Sequence, residues 1–297
     1  MLRFLLLLSG VFFCSTSVIL IRSSSLAPAL VGSYRLLFAS ILLLPIFLKS
    51  WHTHRNKVQP RLFLRCLIPS ILLAAHLMSW AAGARMTYIA NATLIINLTP
   101  AVMPLLAFFL IKEKVTRREI LGTAVALVGV AILSANAFSI NPDYLMGNFV
   151  CFASMITFAA YLAFGRINKD FPSIWLYMVP IYIIASVVCF LFSVATLDSV
   201  WIGSWEEARW MLAMAILPTI LGHVTLNNSL RYFTAQTFAV VNLHQFVSAG
   251  ILGWLIFSDS PPKTFYFAAA LCVSGAVIVI HEAAKIRRAE RAKQANG

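Results

Sequence analysis

Acidic residues are scarce in this sequence. Asp and Glu account for only 10 of its 297 residues, against 23 Lys and Arg. All of them fall in stretches that we predict to be loops or helix ends: Glu113, Glu119, Asp143, Asp170, Asp198, Glu206, Glu207, Asp259, Glu282 and Glu290. We therefore expect no buried carboxylate that relays protons or binds sodium inside an apolar segment. Any proton relay there would have to use His76, His223 or His244.

The residue patterns of common catalytic and metal sites are also absent. The five cysteines lie at unrelated spacings in or beside apolar runs, so they predict packing residues and neither a disulfide framework nor a metal site. The sequence has no His-x-x-x-His motif, no pair of aspartates and no glycine-rich phosphate loop. We accordingly predict no catalytic residues, no metal and no cofactor.

Apolar residues are abundant. They make up 61% of the chain, charged residues only 11%, and the mean hydropathy is +0.87, which is outside the range of soluble domains. Ten apolar runs follow one another, each able to cross a hydrocarbon core of about 30 Å. They cover residues 3–21, 29–48, 66–84, 91–111, 118–136, 146–165, 173–196, 210–230, 236–257 and 264–282. The first run continues to Ile21, which favours a membrane span over a cleaved signal peptide. The predicted fold class is an all-α polytopic membrane protein with ten transmembrane helices.

The net charge of +13 is distributed as in a membrane protein. With the N-terminus in the cytoplasm, eighteen of the 23 Lys and Arg residues fall on the cytoplasmic side, four on the other side, and Arg35 within a helix. This asymmetry predicts a multi-pass protein of the cell (inner) membrane with both termini cytoplasmic. It does not indicate nucleic-acid binding. We expect the basic loops and the tail 284–297 to contact the anionic inner leaflet of the bilayer.

Weak internal matches divide the chain into two halves. Five short stretches recur in the same order at shifts of 144 to 149 residues. Asn97-Leu98 recurs as Asn242-Leu243, and the stretch 86–93 recurs as 230–237. We predict a first five-helix repeat at 1–137 and a second at 145–283. Because five is odd, the second repeat would enter the membrane from the opposite face, an arrangement typical of secondary transporters.

Several short motifs occur in an informative order. They are Tyr34-Arg35 in the second helix, Asn97-x-x-Pro100 and then Lys112-Glu113-Lys114 at the fourth, Gly122 and Gly129 in the fifth, Gly147 and Gly165-Arg166 around the sixth, and residues 221–230 in the eighth. Together they resemble the drug/metabolite transporter superfamily, specifically its ten-helix EamA-like branch. The chain departs from the pattern at His244-Gln245, where the family often has an acidic residue and a proline. The resemblance implies two five-helix bundles whose first, third, fourth, sixth, eighth and ninth helices line a central cavity.

Polar residues, most of them on these helices, are the candidates for substrate binding. Polar groups are costly in a bilayer unless they line water or pair with one another, so interhelical hydrogen bonding is the competing interpretation. For Arg35 the alternatives are snorkelling or bonding to helix-end carbonyls, and attracting an anionic substrate group. A spacing of four residues places His76 with Trp80, and His223 with Asn227, on shared helix faces. The full set of candidates is Arg35, His76, Trp80, Asn97, Tyr161, His223, Asn227, Asn242, His244 and Gln245.

Pro100 and Pro104 are candidate hinges in the fourth helix. Each lacks the N–H that would satisfy the carbonyl four residues earlier, at Ile96 and at Pro100 itself. Such carbonyls are tolerated in a bilayer only where neighbours or cavity water satisfy them. We therefore expect the helix face that carries them to point inward.

The predicted function is a secondary transporter, an exporter or permease, that moves a small metabolite by alternating access around this cavity. The family resemblance implies an amino acid or a related compound as substrate. It leaves the direction of transport, the coupling ion and the oligomeric state open. A channel or a non-transporting membrane scaffold is the alternative, and an intramembrane enzyme is less favoured.

Overall fold

The structure is a computed structural model that describes residues 2–87, 89–134, 142–257 and 263–295. Its α-helices are α1 (Leu2–Ser23), α2 (Pro28–His54), α3 (Arg61–Leu64), α4 (Leu67–Met86), α5 (Ile89–Ile96), α6 (Thr99–Leu106), α7 (Arg117–Ser134), α8 (Leu145–Ile167), α9 (Ile174–Thr196), α10 (Trp205–Met214), α11 (Thr225–Ser229), α12 (Ala235–Asn242), α13 (His244–Phe257) and α14 (Lys263–Ala295). The π-helical segments Ala107–Ile111 and Ala215–Val224 continue α6 and α10. No strand occurs in the described ranges, and the predicted all-α class is confirmed.

Eight helical stretches among the described residues are long and apolar enough to cross a membrane. They are Arg3–Ile21, Pro28–Lys57, Arg61–Met86, Leu94–Ile111, Pro142–Ile167, Ile174–Thr196, Trp205–Ser229 and Lys263–Ile286. The predicted spans 118–136 and 236–257 are not among them. The helix α7 begins with three charged residues, and the other span is divided at Leu243 into α12 and α13. The chain is therefore a multi-pass helical protein, while the predicted count of ten spans is not confirmed.

Three predicted boundaries are wrong. The helix α2 runs to His54 instead of residue 48, and α14 runs to Ala295 instead of 282. Neither extension contains a proline or glycine that would end the helix, and the second is rich in the strong helix formers Ala, Lys and Arg. The helix α10 starts at Trp205 instead of 210, because the Ser204 side chain caps it by accepting a hydrogen bond from the Glu207 N–H.

Both chain termini lie at one end of the helix bundle. The guanidinium of Arg3, near the start of α1, sits 4.0 Å from the ring centre of Tyr232 in the loop before α12. The start of α7 contacts the same loop, and Arg118 there pairs with Glu282 of α14 at 3.5 Å. We call this the termini end, and the other end of the bundle the opposite end.

The most extensive helix contacts join the two halves of the chain. They are the pairs α7 with α14, α4 with α8, and α2 with α9. The first pair approaches closely through glycines, since a Cβ added to Gly122 would lie 2.6 Å from the carbonyl oxygen of Gly275. The core is therefore built between the halves, and a site that both halves line can form at its centre.

One carboxylate contradicts the expectation that none is buried. Glu119 lies in the first turn of α7, as predicted, yet it is only 2% exposed. It forms a capping box with Thr116, because its Oε2 accepts the Thr116 N–H at 2.9 Å and its N–H donates to the Thr116 hydroxyl at 3.2 Å. Its Oε1 accepts the Thr234 hydroxyl at 3.0 Å. The packing of α12 over this helix start buries a side chain that the sequence places at a helix end.

Candidate functional site

A polar cavity of about 70 Å³ lies between the two halves of the chain. It is lined by Cys14, Ser17, Arg35, His76, Leu77, Trp80, Ile96, Asn97, Phe158, His223, Asn242 and Gln245. Seven of the ten candidate residues from the sequence are in this lining. A volume of this size has room for a few water molecules, and it is below the range of about 300–1,000 Å³ that small-molecule pockets occupy. A metabolite would fit only after the helices around the cavity move apart.

Arg35 is held in the cavity wall by hydroxyl groups. It is 2% exposed, so it does not snorkel to the surface. Its Nε donates to the Thr219 hydroxyl at 2.7 Å and its Nη1 donates to the Ser17 hydroxyl at 3.4 Å. A guanidinium has five N–H donors, so three are left for water or a ligand. No carboxylate is among the lining residues, so the described part of the chain supplies no counterion to this positive charge in the cavity.

Thr219 is a hydrogen-bond partner of Arg35 that the sequence analysis missed. Pro218 cannot donate a backbone hydrogen bond, and the chain around it adopts the π-helical form over Ala215–Val224. The Thr219 hydroxyl donates to the Met214 carbonyl at 2.8 Å while it accepts from Arg35. A hydroxyl residue directly after a proline inside an apolar helix was the available signal, and the stretch 217–221 that contains it matches 68–72 in the first half of the chain.

Three aromatic rings of the cavity lining contact one another. His76 stacks on Phe158 with ring centres 4.6 Å apart, and His223 meets the edge of the same ring at 6.4 Å. The His76 Nδ1 lies 2.9 Å from the Ser154 hydroxyl, which in turn donates to the His76 carbonyl at 3.1 Å. These contacts fix the His76 ring. As the spacing predicts, His76 and Trp80 both line the cavity.

Amide side chains lie at two matching helix breaks. Asn97 follows the last residue of α5, and Asn242 is the last residue of α12. The Gln245 Nε2 donates to the Asn242 Oδ1 at 2.6 Å. The carboxamide of Asn97 is 7% exposed and has no hydrogen-bond partner within the described part of the chain. The cavity thus presents amide groups in addition to the guanidinium.

Three candidates lie outside the cavity lining. The Asn227 Nδ2 donates to the Tyr161 hydroxyl at 2.8 Å and to the His223 carbonyl at 2.9 Å, which makes it an interhelical contact. The His244 Nδ1 lies 3.0 Å from the Val241 carbonyl. The face predicted for His223 and Asn227 is therefore divided, since only His223 reaches the cavity.

Side chains satisfy both carbonyls that the prolines of the fourth span release. The Ile96 carbonyl accepts the Thr99 hydroxyl at 2.6 Å. The Pro100 carbonyl accepts the Gln236 Nε2 from the other half of the chain at 3.1 Å. The Pro100 carbonyl thus points into the protein, where Gln236 takes the place that cavity water could have occupied.

No cluster of three or more His, Cys, Asp or Glu that could hold a metal occurs in residues 2–87, 89–134, 142–257 and 263–295. The chemistry available in the cavity is hydrogen bonding, one fixed positive charge and aromatic stacking. These properties suit reversible binding of a polar, charged small molecule.

Comparison with known proteins adds a family and several relatives. Residues 1–135 and 145–281 each match the EamA-like transporter family. The S-adenosylmethionine uptake transporters of Rickettsia felis and Rickettsia bellii are 24% and 25% identical over 259 residues, covering 86% of this chain and 83% and 84% of theirs. The uncharacterized transporter YyaM of Bacillus subtilis is 26% identical over 207 residues, covering 67% of this chain and 64% of that protein. A solved structure described only as "Crystal structure of protein" superimposes with a TM-score of 0.79 at 18% identity, covering 95% of this chain and 98% of the other.

Proposed function

The chain belongs to the EamA-like transporter family, and we propose that it is a secondary transporter that moves a small metabolite by alternating access around the central cavity. The observation that carries the proposal is Arg35. A buried charge in a bilayer is costly, and intramembrane charges usually mark a ligand or ion pathway. Here the charge is held by two hydroxyls, faces a cavity, and has three N–H donors to spare.

The proposed substrate class is an amino acid or a related compound. Its carboxylate would accept hydrogen bonds from Arg35, a pairing for which the planar guanidinium is well suited. Its ammonium group would find acceptor oxygens on Asn97, Asn242 and Gln245. S-adenosylmethionine, which the Rickettsia relatives take up by name, carries such an amino-acid group and belongs in the same test.

We further propose ten membrane spans in two inverted repeats, at 1–137 and 145–283, followed by the basic tail 284–297. Two observations support the count of ten. The helix α7 has 18 residues, about 27 Å at the α-helical rise, and the helices α12 and α13 are separated only by Leu243. Both termini would lie in the cytoplasm at the inner membrane, with the basic loops and tail on the anionic inner leaflet.

Uptake by cells tests the substrate class. Cells that express the protein are given a panel of labelled amino acids and S-adenosylmethionine, beside the same compounds without their carboxylate. We expect a carboxylated compound to enter or leave faster than in cells with an empty vector, and Arg35→Gln to remove at least nine-tenths of that flux. Arg85→Gln is the control, because Arg85 bonds the carbonyls of Ser24 and Leu26 away from the cavity. Equal flux of carboxylated and decarboxylated compounds would refute the role of Arg35.

A further inference from the structure

A second polar contact between the halves lies outside the cavity, where α12 packs against α6 and α7. Gln236 of α12 is only 1% exposed. Its Nε2 donates to the Pro100 carbonyl at 3.1 Å and to the Thr123 hydroxyl at 2.7 Å. One side chain of the second half is therefore bonded at once to two helices of the first half.

The acceptor for Gln236 exists because of Pro104. In an unbroken helix the N–H of residue 104 would bond to the Pro100 carbonyl, and the carbonyl would not need another donor. With proline at that position the carbonyl is satisfied only while α12 stays docked on α6. Moving α12 away would leave the carbonyl bonded to water or without a partner. The bond is therefore present only while α12 and α6 are in contact.

A second bond reinforces this contact toward the termini end. Thr234 caps α12 by accepting the Thr237 N–H at 3.1 Å, and its hydroxyl donates to the buried carboxylate of Glu119 at 3.0 Å. Glu119 is thereby joined to the start of α12 as well as to the start of its own helix. Along α12, these bonds lie between the termini end and Asn242 of the cavity lining.

The matching place in the first repeat lacks the side chains that form these bonds. The stretch 230–237 matches 86–93, so Thr234 and Gln236 correspond to Ala90 and Ala92. Alanine has no side-chain donor, and the matching position in the first repeat cannot form these bonds. The two ends of an inverted repeat exchange roles during alternation, and here they are built from different residues.

We propose that Gln236 is the latch of a gate at the termini end, and that its bond to the Pro100 carbonyl must break before the cavity opens toward that end. This inference rests on the proposed transport function. The latch stabilises the arrangement seen here, in which α12 is docked on α6 and α7 near the termini end. Removing it would shift the population toward the conformation that is open there.

Thiol labelling tests the latch. Ser17→Cys places a reporter thiol in the cavity lining of a Cys14→Ser background, because Cys14 also lines the cavity. Cys14→Ser alone, whose four remaining cysteines are all buried, is the blank. A charged, membrane-impermeant thiol reagent is applied to membrane vesicles from the side that carries a C-terminal tag. We expect Gln236→Leu, which removes the donor at similar size, to raise the labelling rate from that side about fivefold, the population shift that one net hydrogen bond produces.

Two further variants make the test specific. Pro104→Ala restores an N–H within the helix for the Pro100 carbonyl, so it competes with Gln236 and should shift labelling in the same direction by a smaller factor. Gln59→Leu makes the same substitution in an exposed loop and should leave the rate unchanged.

Unchanged labelling in both Gln236→Leu and Pro104→Ala, with either variant folded as judged by gel filtration, would overturn the latch. A rise in Gln59→Leu equal to that in Gln236→Leu would do the same. The labelling measurement needs no substrate, so it can be interpreted even if no transported metabolite is found. Conversely, a negative labelling result would not change the interpretation of the flux assays.

Discussion

At the scale of single residues, the polar side chains differ in how many of their hydrogen-bond donors and acceptors are already used within the protein. Arg35 and Asn97 have unused hydrogen-bonding groups that face the cavity. Asn227 donates its N–H groups to the Tyr161 hydroxyl and the His223 carbonyl. A bonded side chain outside the cavity lining contributes to folding, whereas a side chain that faces the cavity with free donors or acceptors can bind a ligand.

This difference predicts opposite phenotypes for two asparagines. We expect Asn97→Leu to lower transport at least tenfold with little change in Tm, since no protein bond among the described residues is lost. We expect Asn227→Leu to lower Tm first, because the Tyr161 hydroxyl and the His223 carbonyl lose a buried donor, at a cost of about 1–3 kcal/mol. Flux assays and thermal unfolding in detergent measure both. A destabilised Asn97→Leu variant with normal flux per folded molecule would assign Asn97 to folding.

A pH dependence is expected at the loop between α8 and α9. Arg65 donates to Asp170 at 2.7 Å, and this hydrogen bond lowers the pKa of the Asp170 carboxyl. A carboxyl with a lowered folded-state pKa stabilises the fold above its unfolded pKa and loses that contribution as the pH falls through the folded value. The pair is solvent-exposed, with 37% and 62% of the side chains accessible, so it contributes at most about 1 kcal/mol.

We therefore expect Asp170→Asn to lower Tm by about 2 °C near neutral pH. Below the folded pKa of Asp170 the wild type is protonated and the difference should vanish. Thermal unfolding of both proteins across this pH range measures the effect. A difference that grows as the pH falls would contradict the assignment.

The residues of the cavity could be predicted largely because polarity is rare in this sequence. In a chain that is 61% hydrophobic, each Asn, His or Arg within an apolar run is conspicuous. Sequence spacing did not reveal that Asn227 and Tyr161 bond to each other, since this depends on how α8 and α11 pack. Thr219 was missed because a threonine in an apolar helix ordinarily bonds to its own backbone.

At the scale of helices, the break in the fourth span could be predicted from the sequence, whereas the break in the predicted ninth span could not. The repeat placed Asn97 and Asn242 at equivalent positions, and the prolines indicated a kink in the fourth span. The ninth span has no proline, and its break at Leu243 has no signal in composition. The π-helical segments depend on a choice between hydrogen-bond registers that apolar side chains do not specify.

Close helix contacts give a prediction at this scale. A Cβ at Gly275 would lie 2.8 Å from the Cβ of Ala126, and one at Gly122 would lie 2.6 Å from the Gly275 carbonyl oxygen. Backbone atoms cannot move aside as flexible side chains can. We expect Gly122→Ala and Gly275→Ala each to destabilise the fold by about 1–3 kcal/mol despite the better helix propensity of alanine.

Thermal unfolding in detergent checks this expectation. The matched control is Ser274→Ala, which changes an exposed residue next to Gly275 in the same helix. Equal Tm values for the three variants and the wild type would show that α7 and α14 are less tightly packed than described here.

At the scale of the whole molecule, the structure fits a chain that crosses the membrane an even number of times. The termini share one end of the bundle. The helix α8 starts at the opposite end beside the end of α4, where the Thr87 hydroxyl donates to the Asn148 Oδ1 at 2.7 Å. The excess of positive charge in the predicted cytoplasmic loops adds a direction to this arrangement.

Reporter fusions test the topology. A reporter that is active only in the cytoplasm should be active when fused after Gly297 and inactive when fused after Asp143. The two fusions control for each other, because both carry the same reporter and the same first repeat. Activity of both on one side of the membrane would contradict the inverted repeat.

In the proposed mechanism one cavity, with Arg35 in its wall, opens to each side of the membrane in turn. Counterflow in proteoliposomes tests it most directly. Vesicles are loaded with the unlabelled substrate identified by the uptake panel and diluted into a trace of the labelled compound. We expect transient accumulation of label above equilibrium by the wild type and none by Arg35→Gln. Label that only equilibrates, as through a channel, or equal accumulation by both proteins, would contradict the account.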